Sequence, residues 1–257
     1  MRRLIIISGA GLSVESGIQA FRTDTASGKA LWQSYDIDEV CDIHAFNGNF
    51  YHKTHSFYNK RREELGTVQP NGAHLKIGEW FNEYPEQVVN LTTNVDDLLE
   101  RSGIPRNEVL HVHGYLPEIR VKDAFTQKEW ILDVGYKTID PDSYDWVKPN
   151  VVFFGESAPL YQDMNDLFDS LTGQDLVIVV GCSNQVINFN WELFPMLNIG
   201  TRMIIINPDI KYHEQLLYEE RGVLVYRCGA VEAFTNPKLI EIVENHLQGK
   251  TALQCKE

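Results

Sequence analysis

The sequence contains no closely spaced pair of cysteines. Its four cysteines, Cys41, Cys182, Cys228 and Cys255, are scattered along the chain and form no C-x-x-C motif. A cysteine-based zinc site or a disulfide framework normally shows paired or regularly spaced cysteines. The scattering argues against both, and it predicts reduced thiols in a cytoplasmic protein.

Long apolar runs and an excess of basic residues are also missing. No run approaches membrane-spanning length, and the first residues are strand-like rather than signal-like, so we expect no membrane association. Lysine and arginine number 23 against 36 acidic residues, which gives a formal net charge of −13. This charge argues against binding to nucleic acid. It is compatible with basic, lysine-bearing partners, although acidity also simply favours solubility.

Apolar runs of β-strand type recur along the 257 residues, of which 43% are hydrophobic. Helical segments such as 73–83, 97–102 and 190–197 separate many of them. The runs cover residues 4–7, 88–91, 109–112, 151–154, 176–180, 203–206 and 223–226. Several are continuous rather than alternating, as expected of parallel strands covered on both faces. The pattern predicts an α/β fold with a doubly wound, Rossmann-like parallel sheet.

Two segments interrupt this alternation. Residues 24–70 contain a loop and one or two helices, and residues 115–149 are polar, proline-marked and irregular. We expect both to be insertions that form a small lobe. The core is then expected at about 1–23, 71–114 and 150–257, within a single domain over 1–257.

The first apolar run leads into ISGAGLSVESGIQAFRT, residues 7–23. Glycines after a strand and before a helix let the backbone N–H groups approach a phosphate. The spacing does not match G-x-G-x-x-G, and a tight turn in any α/β protein explains Gly9-Ala10-Gly11 equally well. Five later apolar runs (88–91, 109–112, 151–154, 176–180 and 203–206) also end in small or polar residues, which favours a nucleotide cleft at one edge of the sheet.

Together these motifs resemble the sirtuins, the NAD-dependent protein deacylases. They occur in the family's order and the resemblance runs from residue 4 to about residue 245. The matching stretches are Gly9-Ala10-Gly11-Leu12-Ser13, Ser16-Gly17-Ile18, Phe21-Arg22, Thr92-Thr93-Asn94-Val95-Asp96, His113-Gly114, Val151-Val152-Phe153-Phe154-Gly155-Glu156, Gly181-Cys182-Ser183 and Asn207-Pro208-Asp209.

The resemblance implies roles for particular residues. His113 would be the general base, because its pKa lies near working pH, and Asn94 would be catalytic beside it. We assign His74 to helix packing. The implied NAD-binding residues are Gly9, Ala10, Gly11, Ser13, Phe21, Arg22, Thr93, Asn94, Val95, Asp96, Gly181, Cys182, Ser183, Asn207, Pro208, Asp209 and Cys228. The implied substrate-binding residues are Tyr58, Arg61, Val152, Phe154, Gly155 and Glu156.

Tyr58 and Arg61 lie three residues apart in HSFYNKRREEL, residues 55–65, and would share one helix face. They resemble the Tyr-x-x-Arg motif of desuccinylase-type sirtuins, where a guanidinium and a phenol hold an acidic acyl group. Cys41 falls where that group has a small residue. The stretch therefore predicts a preference for succinyl or malonyl over acetyl groups, although an ordinary helix with a solvated basic run is the alternative.

The sequence departs from the sirtuin pattern in several places. Thr93 replaces a glutamine, Leu99 a histidine and Gln19 a proline, and the first change could weaken NAD binding. Residues 115–153 contain neither cysteine nor histidine, so we expect no structural zinc. The small lobe would instead be held by apolar packing, with the candidates Trp130, Ile131, Leu132, Tyr136, Tyr144 and Trp146.

Other functions on the same fold remain open at this point. An NAD glycohydrolase or an ADP-ribosyltransferase would use the same nicotinamide pocket with a different nucleophile. A non-catalytic NAD-sensing module is a third possibility, which the presence of His113, Asn94 and Asp96 disfavours. The peptide-type segment 151–156 favours the NAD-dependent protein-lysine deacylase, acting on acylated lysine-bearing proteins or peptides.

Overall fold

The computed structural model describes residues 1–18, 35–184 and 187–250. The predicted site residues Phe21 and Arg22, and the departure at Gln19, lie outside these ranges. In the described parts no helix is long and apolar enough to cross a membrane.

Nine strands in the described residues form two sheets. They are β1 Leu4–Ser8, β2 Val88–Thr92, β3 Val109–His111, β4 Gly114–Lys122, β5 Glu129–Asp133, β6 Trp146–Val151, β7 Leu176–Val180, β8 Arg202–Ile206 and β9 Leu224–Tyr226. The large sheet has the order β3-β2-β1-β7-β8-β9 and all its pairings are parallel. The parallel α/β sheet expected from the sequence is therefore confirmed.

Helices cover both faces of this sheet. The described helices are α1 Gly11–Val14, α2 Ile37–Val40, α3 Ile43–Asn47, α4 Tyr51–Thr67, α5 Gly72–Glu83, α6 Leu98–Arg101, α7 Tyr161–Asp169, α8 Tyr212–Glu219, α9 Ala230–Phe234 and α10 Pro237–Leu247. Leu4 and Ile6 of β1 pack toward α5, α9 and α10, whereas Ile5 and Ile7 pack toward α7. Burial on both faces explains why the β1 run is continuously apolar.

The run at residues 151–154 is not a strand of the parallel sheet, and that expectation was wrong. The chain instead forms β6, which ends at Val151 and pairs antiparallel with β4. Val151 and Phe153 are buried in a separate cluster with Phe46 and Tyr58. Only alternate residues of this run are buried, since Phe154 is 44% exposed, so the run does not mark a strand covered on both faces.

The small lobe combines α2, α3 and α4 with the antiparallel sheet β5-β4-β6, so residues 115–149 are more regular than expected. Ile119, Val121 and Val147 form its core, with Tyr144 packed against them. The packing expected of Trp130, Ile131 and Leu132 does not occur, because β5 is an edge strand exposed along its length.

Polar side chains of α4 hold the segment between β5 and β6. The Asn59 amide donates to the Ile139 carbonyl at 2.8 Å and accepts from the Ile139 N–H at 3.0 Å. Buried Arg62 donates from Nε to the Lys137 carbonyl at 3.2 Å. Within the same segment, the Tyr136 hydroxyl bonds to Asp97, the residue that precedes α6. These bonds join the parts of the lobe to each other and to the start of α6.

We expect purified protein to contain no stoichiometric zinc. Across the described ranges no three His, Cys, Asp or Glu side chains lie close enough together to hold a metal ion. Hydrogen bonds and apolar packing already hold the lobe, so a chelator should leave its melting temperature unchanged. Elemental analysis before and after treatment with EDTA checks this. About one zinc per chain, or a clear loss of stability on chelation, would contradict the prediction.

Candidate active site

Two turns at the carboxyl edge of the sheet pack against each other. The Gly11 N–H donates to the Gly181 carbonyl at 3.0 Å. A Cβ added at Gly11 would lie 2.5 Å from Gly181 Cα, and one at Gly9 would lie 2.7 Å from the Gly181 oxygen. Gly181 itself has φ +65°. The close approach of the turns after β1 and β7 therefore requires these glycines, whether or not a ligand is bound.

Ser13 joins the first turn to the loop after β2. Its hydroxyl donates to Asp96 Oδ2 at 2.9 Å and accepts from Asn94 Nδ2 at 3.2 Å. The same Asn94 amide donates to the Gly9 carbonyl at 3.0 Å. Burial raises the pKa of Asp96, and the Ser13 hydrogen bond opposes the rise. The structure thus brings together Gly9, Ser13, Asn94 and Asp96, as the sequence predicted.

His74 reaches the same cluster from α5. Its Nδ1 accepts from the Asn71 N–H at 3.3 Å, and its Nε2 lies 3.4 Å from Ser13 Oγ. Asn71 in turn caps α5 and donates to the Leu12 carbonyl at 2.8 Å. Helix packing is therefore only part of the role of His74. Burial lowers its pKa to about 3, so the ring is neutral.

We expect His74 to make the fold sensitive to acid. Below pH 6.5 the unfolded chain gains a proton on this histidine, whereas the folded chain does not until about pH 3. At pH 5 this difference costs roughly 2 kcal/mol of unfolding free energy. Urea unfolding at pH 7 and pH 5 checks it: the loss on acidification should be about 2 kcal/mol smaller in His74→Gln than in wild type. Equal losses would contradict the assignment.

His113 lies just after β3, with both ring nitrogens hydrogen bonded. Nδ1 is 3.0 Å from the Thr93 carbonyl, so it carries the proton and donates. Nε2 is 2.9 Å from the Tyr161 hydroxyl, which donates to its lone pair. Burial lowers the pKa of His113, and the bond to Thr93 opposes this. The arrangement produces a neutral imidazole whose Nε2 can accept a proton.

The turns after β7, β8 and β9 form the far end of the edge. Asn207 Nδ2 donates to the Cys182 carbonyl at 2.9 Å, and Asn207 Oδ1 accepts from the Asp209 N–H at 2.9 Å. These bonds hold 181–183 beside 207–209, including the exposed Pro208 and Ser183. Burial raises the pKa of the Cys182 thiol to about 12. Cys228 follows β9. Burial raises the pKa of its thiol, and the charges of Glu232 and Glu15 add to the rise.

Tyr58 and Arg61 project from α4 toward Cys41. The buried Tyr58 hydroxyl donates to Cys41 Sγ at 3.6 Å. Burial raises the pKa of Cys41 to about 11, and the nearby positive charge of Arg61 opposes the rise. Arg61 Nη1 lies 3.4 Å from Glu64, and its side chain is 16% exposed. The three residues predicted for the acyl pocket therefore lie together.

The segment 152–156 passes beside this pocket. Phe153 stacks on Tyr58 with ring centroids 5.4 Å apart. The Phe154 N–H donates to the Cys41 carbonyl at 2.7 Å, and its carbonyl accepts from the Ile43 N–H at 3.0 Å. The Val152 N–H donates to the His113 carbonyl at 2.9 Å. Gly155, with φ +82°, then turns the chain.

Glu156 holds this segment in place. Its carboxylate accepts from the Phe153 N–H at 2.7 Å and lies 2.9 Å from Lys148 Nζ. Burial lowers the pKa of Lys148 to about 8, although Glu156 opposes the shift. Lys148 was not identified from the sequence.

Comparison with known proteins decides the family. The model for the Sir2 family matches residues 9–188. The chain belongs to the Sir2 family. A Helicobacter pylori (strain J99) NAD-dependent protein deacylase is 40% identical over 250 residues, covering 96% of this chain and 99% of the relative.

Two solved structures of Sir2 homologues share the fold of this Sir2-family chain. One, a complex with NAD, has a TM-score of 0.72 and 29% identity, with 95% of this chain and 90% of the other covered. The second, a mutant in complex with 2′-O-acetyl-ADP-ribose, has a TM-score of 0.73 and 25% identity, with 99% and 95% covered. The resemblance to sirtuins is therefore confirmed.

Within this Sir2-family chain the departures have structural roles. The Thr93 hydroxyl donates to the Ser8 carbonyl at 3.3 Å, so the short side chain bonds inside the protein. Leu99 is buried in the core beneath β1. Val95 accepts from the Leu116 N–H at 2.7 Å and ties the loop after β2 to β4.

The sequence pattern sets His111 aside, because two residues before His113 its side chain is expected on the opposite side of the strand; the structure shows that it holds the loop after β2. Its Nδ1 lies 2.9 Å from the Asn94 carbonyl, and its Nε2 lies 2.7 Å from Glu100. The ring is buried. In the HVHG stretch, residues 111–114, the role of general base was predicted for His113 instead. His111 fixes the backbone of Asn94 and thereby the direction of its side chain.

Proposed function

We propose that this protein is an NAD-dependent protein-lysine deacylase that releases nicotinamide and O-acyl-ADP-ribose. The observation that carries the proposal is the hydrogen bonding of His113. Its Nδ1–H donates to the Thr93 carbonyl, so Nε2 is the basic nitrogen. The Ser13–Asn94–Asp96 cluster lies at the same edge of the sheet. Family membership and the name of the Helicobacter pylori relative support the same activity.

The residues present fit a dinucleotide. Small residues line the turn after β1, and Ser16 Oγ is buried without a hydrogen-bond partner among the described residues. When bound, NAD supplies the electrophilic ribose carbon that the acyl oxygen attacks as nicotinamide leaves. Asn94 and Asp96, held by Ser13, orient the groups bound beside them. The far-end residues, including Asn207 and Cys228, are proposed to border the adenosine.

His113 then acts as the general base. Its Nε2 accepts a proton from a hydroxyl placed beside it, while Nδ1 keeps its hydrogen bond to the Thr93 carbonyl. The backbone acceptor fixes the tautomer, so no ring flip is needed during the proton transfer. With its proton on Nε2, that hydroxyl would be the nucleophile toward the acyl carbon.

A product assay tests the proposed function. The protein is incubated with NAD, with and without an acylated lysine peptide, and the products are separated by mass spectrometry. O-acyl-ADP-ribose formed only with peptide supports the deacylase. Free ADP-ribose at the same rate in both samples would instead show NAD hydrolysis, and ADP-ribosylated protein would show a transferase.

We further propose a preference for succinyl and malonyl over acetyl groups. The pair of Arg61 and Glu64 is partly exposed and weak, so the guanidinium can exchange Glu64 for a substrate carboxylate. Burial raises the pKa of Tyr58 well above its ordinary value, so the phenol keeps the proton that it can donate. A guanidinium and a phenol together suit a carboxylate.

The peptide is proposed to bind along Val152, Phe154, Gly155 and Glu156. Strand addition needs open backbone groups, and both groups of Phe154 bond to the 41–43 segment. A peptide that pairs with Phe154 must therefore exchange those bonds, whereas Val152 and Gly155 offer carbonyl groups on either side.

A further inference from the structure

The Tyr161 hydroxyl is hydrogen bonded to Nε2, the nitrogen with which His113 would act as the base. The Tyr161 hydroxyl lies 2.9 Å from Nε2, and the two ring centroids are 5.9 Å apart. A neutral imidazole has one lone pair in its ring plane, and here that lone pair accepts from the phenol. A hydroxyl from a bound ribose can therefore reach the base only by displacing Tyr161 or by passing its proton through it.

The position of Tyr161 favours displacement. It is the first residue of α7, a helix anchored to the core by Met164 and Phe168. Its own ring is only half-buried, so it can rotate without disturbing the helix. Among the described residues the hydroxyl has no second hydrogen-bond partner, whereas a proton relay needs one on the side of the incoming hydroxyl.

Among the described residues, only one charge shifts the pKa of either member of this pair. His113 faces the Thr93 carbonyl from the loop after β2 and the Tyr161 hydroxyl from α7. Burial raises the pKa of the Tyr161 phenol, and the charge of Glu192, in the helical segment Phe189–Leu193, adds to the rise. Tyr161 therefore remains a protonated donor, and its bond favours the neutral imidazole.

We propose that the Tyr161 hydroxyl is a placeholder for the ribose hydroxyl. In the free enzyme it holds His113 in the reactive tautomer and orientation. When the cofactor binds, the ribose hydroxyl replaces it as the hydrogen-bond donor to Nε2. Tyr161 is thus a positioning residue that competes with the ribose. This inference rests on the proposed role of His113 as the base.

The first test examines the free protein by NMR of labelled histidine. The His113 signals are assigned by their loss in His113→Asn. In Tyr161→Phe the titration midpoint of His113 should move to higher pH, because the neutral ring loses its donor. An unchanged midpoint would overturn the proposal. This readout requires no turnover, so it is independent of whether the deacylase assay succeeds.

The second test measures ADP-ribose binding by calorimetry. Without the bond to break, Tyr161→Phe should bind ADP-ribose about two- to tenfold more tightly than wild type. The matched control Tyr212→Phe, at an exposed tyrosine, should bind as wild type does. Equal or weaker binding by Tyr161→Phe would overturn the proposal.

Kinetics separate the placeholder from a relay. A placeholder lowers KM for NAD in Tyr161→Phe more than it changes kcat. A relay would instead reduce acyl transfer about 100-fold or more while nicotinamide release continues, and that result would overturn the proposal. Failure of wild-type protein to bind ADP-ribose would contradict the proposed function itself.

Discussion

Replacing His113 with alanine is expected to reduce formation of O-acyl-ADP-ribose about 10²–10⁴-fold, the usual cost of losing a general base. Alanine removes the imidazole whose Nδ1 donates to the Thr93 carbonyl and whose Nε2 is placed to accept a proton. Departure of nicotinamide does not require that proton transfer. Exchange of labelled nicotinamide into NAD should therefore continue in His113→Ala, while acyl transfer is lost.

The fold should survive this substitution. His113 is half-buried and makes two hydrogen bonds, which together contribute about 1–3 kcal/mol. His52→Ala is the matched control, because the His52 side chain is 67% exposed and pairs with Asp142 of the small lobe. It should keep the wild-type rate. Wild-type acyl transfer by His113→Ala, with an unchanged circular dichroism spectrum, would show that the base is another residue.

The pH dependence of acyl transfer gives a second measure of the same base. Burial lowers the pKa of His113 below its ordinary value of 6.5. The imidazole is active when neutral, so the rate should rise with pH and level off below pH 6.5 rather than above it. A profile that levels off well above pH 7 would point to a different group.

The parallel sheet could be predicted because its strands leave little choice of residue. Every residue of β1 and of β7 is buried, and the stretches 4–7 and 176–180 within them are continuously apolar. The same argument failed at residues 151–154, because Val151 and Phe153 are buried in the core of the small lobe whereas Phe154 is exposed. It failed in the opposite direction at β5, where Trp130 and Ile131 look like core residues and are exposed.

The candidate site divides in a similar way. His113, Asn94 and Asp96 could be placed at one edge because each follows an apolar run, and parallel strands bring such ends together; their proposed roles came from the resemblance to sirtuins. The residues that hold these side chains in place could not be predicted. His74 lies 61 residues from Ser13, and Tyr161 lies 48 residues from His113. Those contacts depend on how α5 and α7 dock on the sheet, which no local pattern specifies.

Replacing Arg61 with methionine should remove the preference for acidic acyl groups. A guanidinium that pairs with a buried carboxylate makes charge-assisted hydrogen bonds, and a site built this way discriminates strongly against analogues that lack the partner. We expect kcat/KM for a succinyl-lysine peptide to fall about 10²–10³-fold in Arg61→Met. The same peptide carrying acetyl-lysine should react as well as before or better, because no unpaired cation remains in the pocket.

The neighbouring residues provide the controls. Lys60→Met removes the same charge from an exposed position on α4 and should leave the succinyl-to-acetyl ratio of kcat/KM unchanged. Tyr58→Phe removes only the phenol donor and should reduce the ratio less than Arg61→Met does. Glu64→Gln frees Arg61 from its 3.4 Å partner, so it should raise the ratio modestly. All four variants are assayed with the same peptide sequence, so a change in the succinyl-to-acetyl ratio reports recognition of the acyl group alone. If wild type processes acetyl-lysine as well as succinyl-lysine, or if Arg61→Met leaves the ratio unchanged, Arg61 does not read the acyl group, and the deacylase proposal stands without that preference.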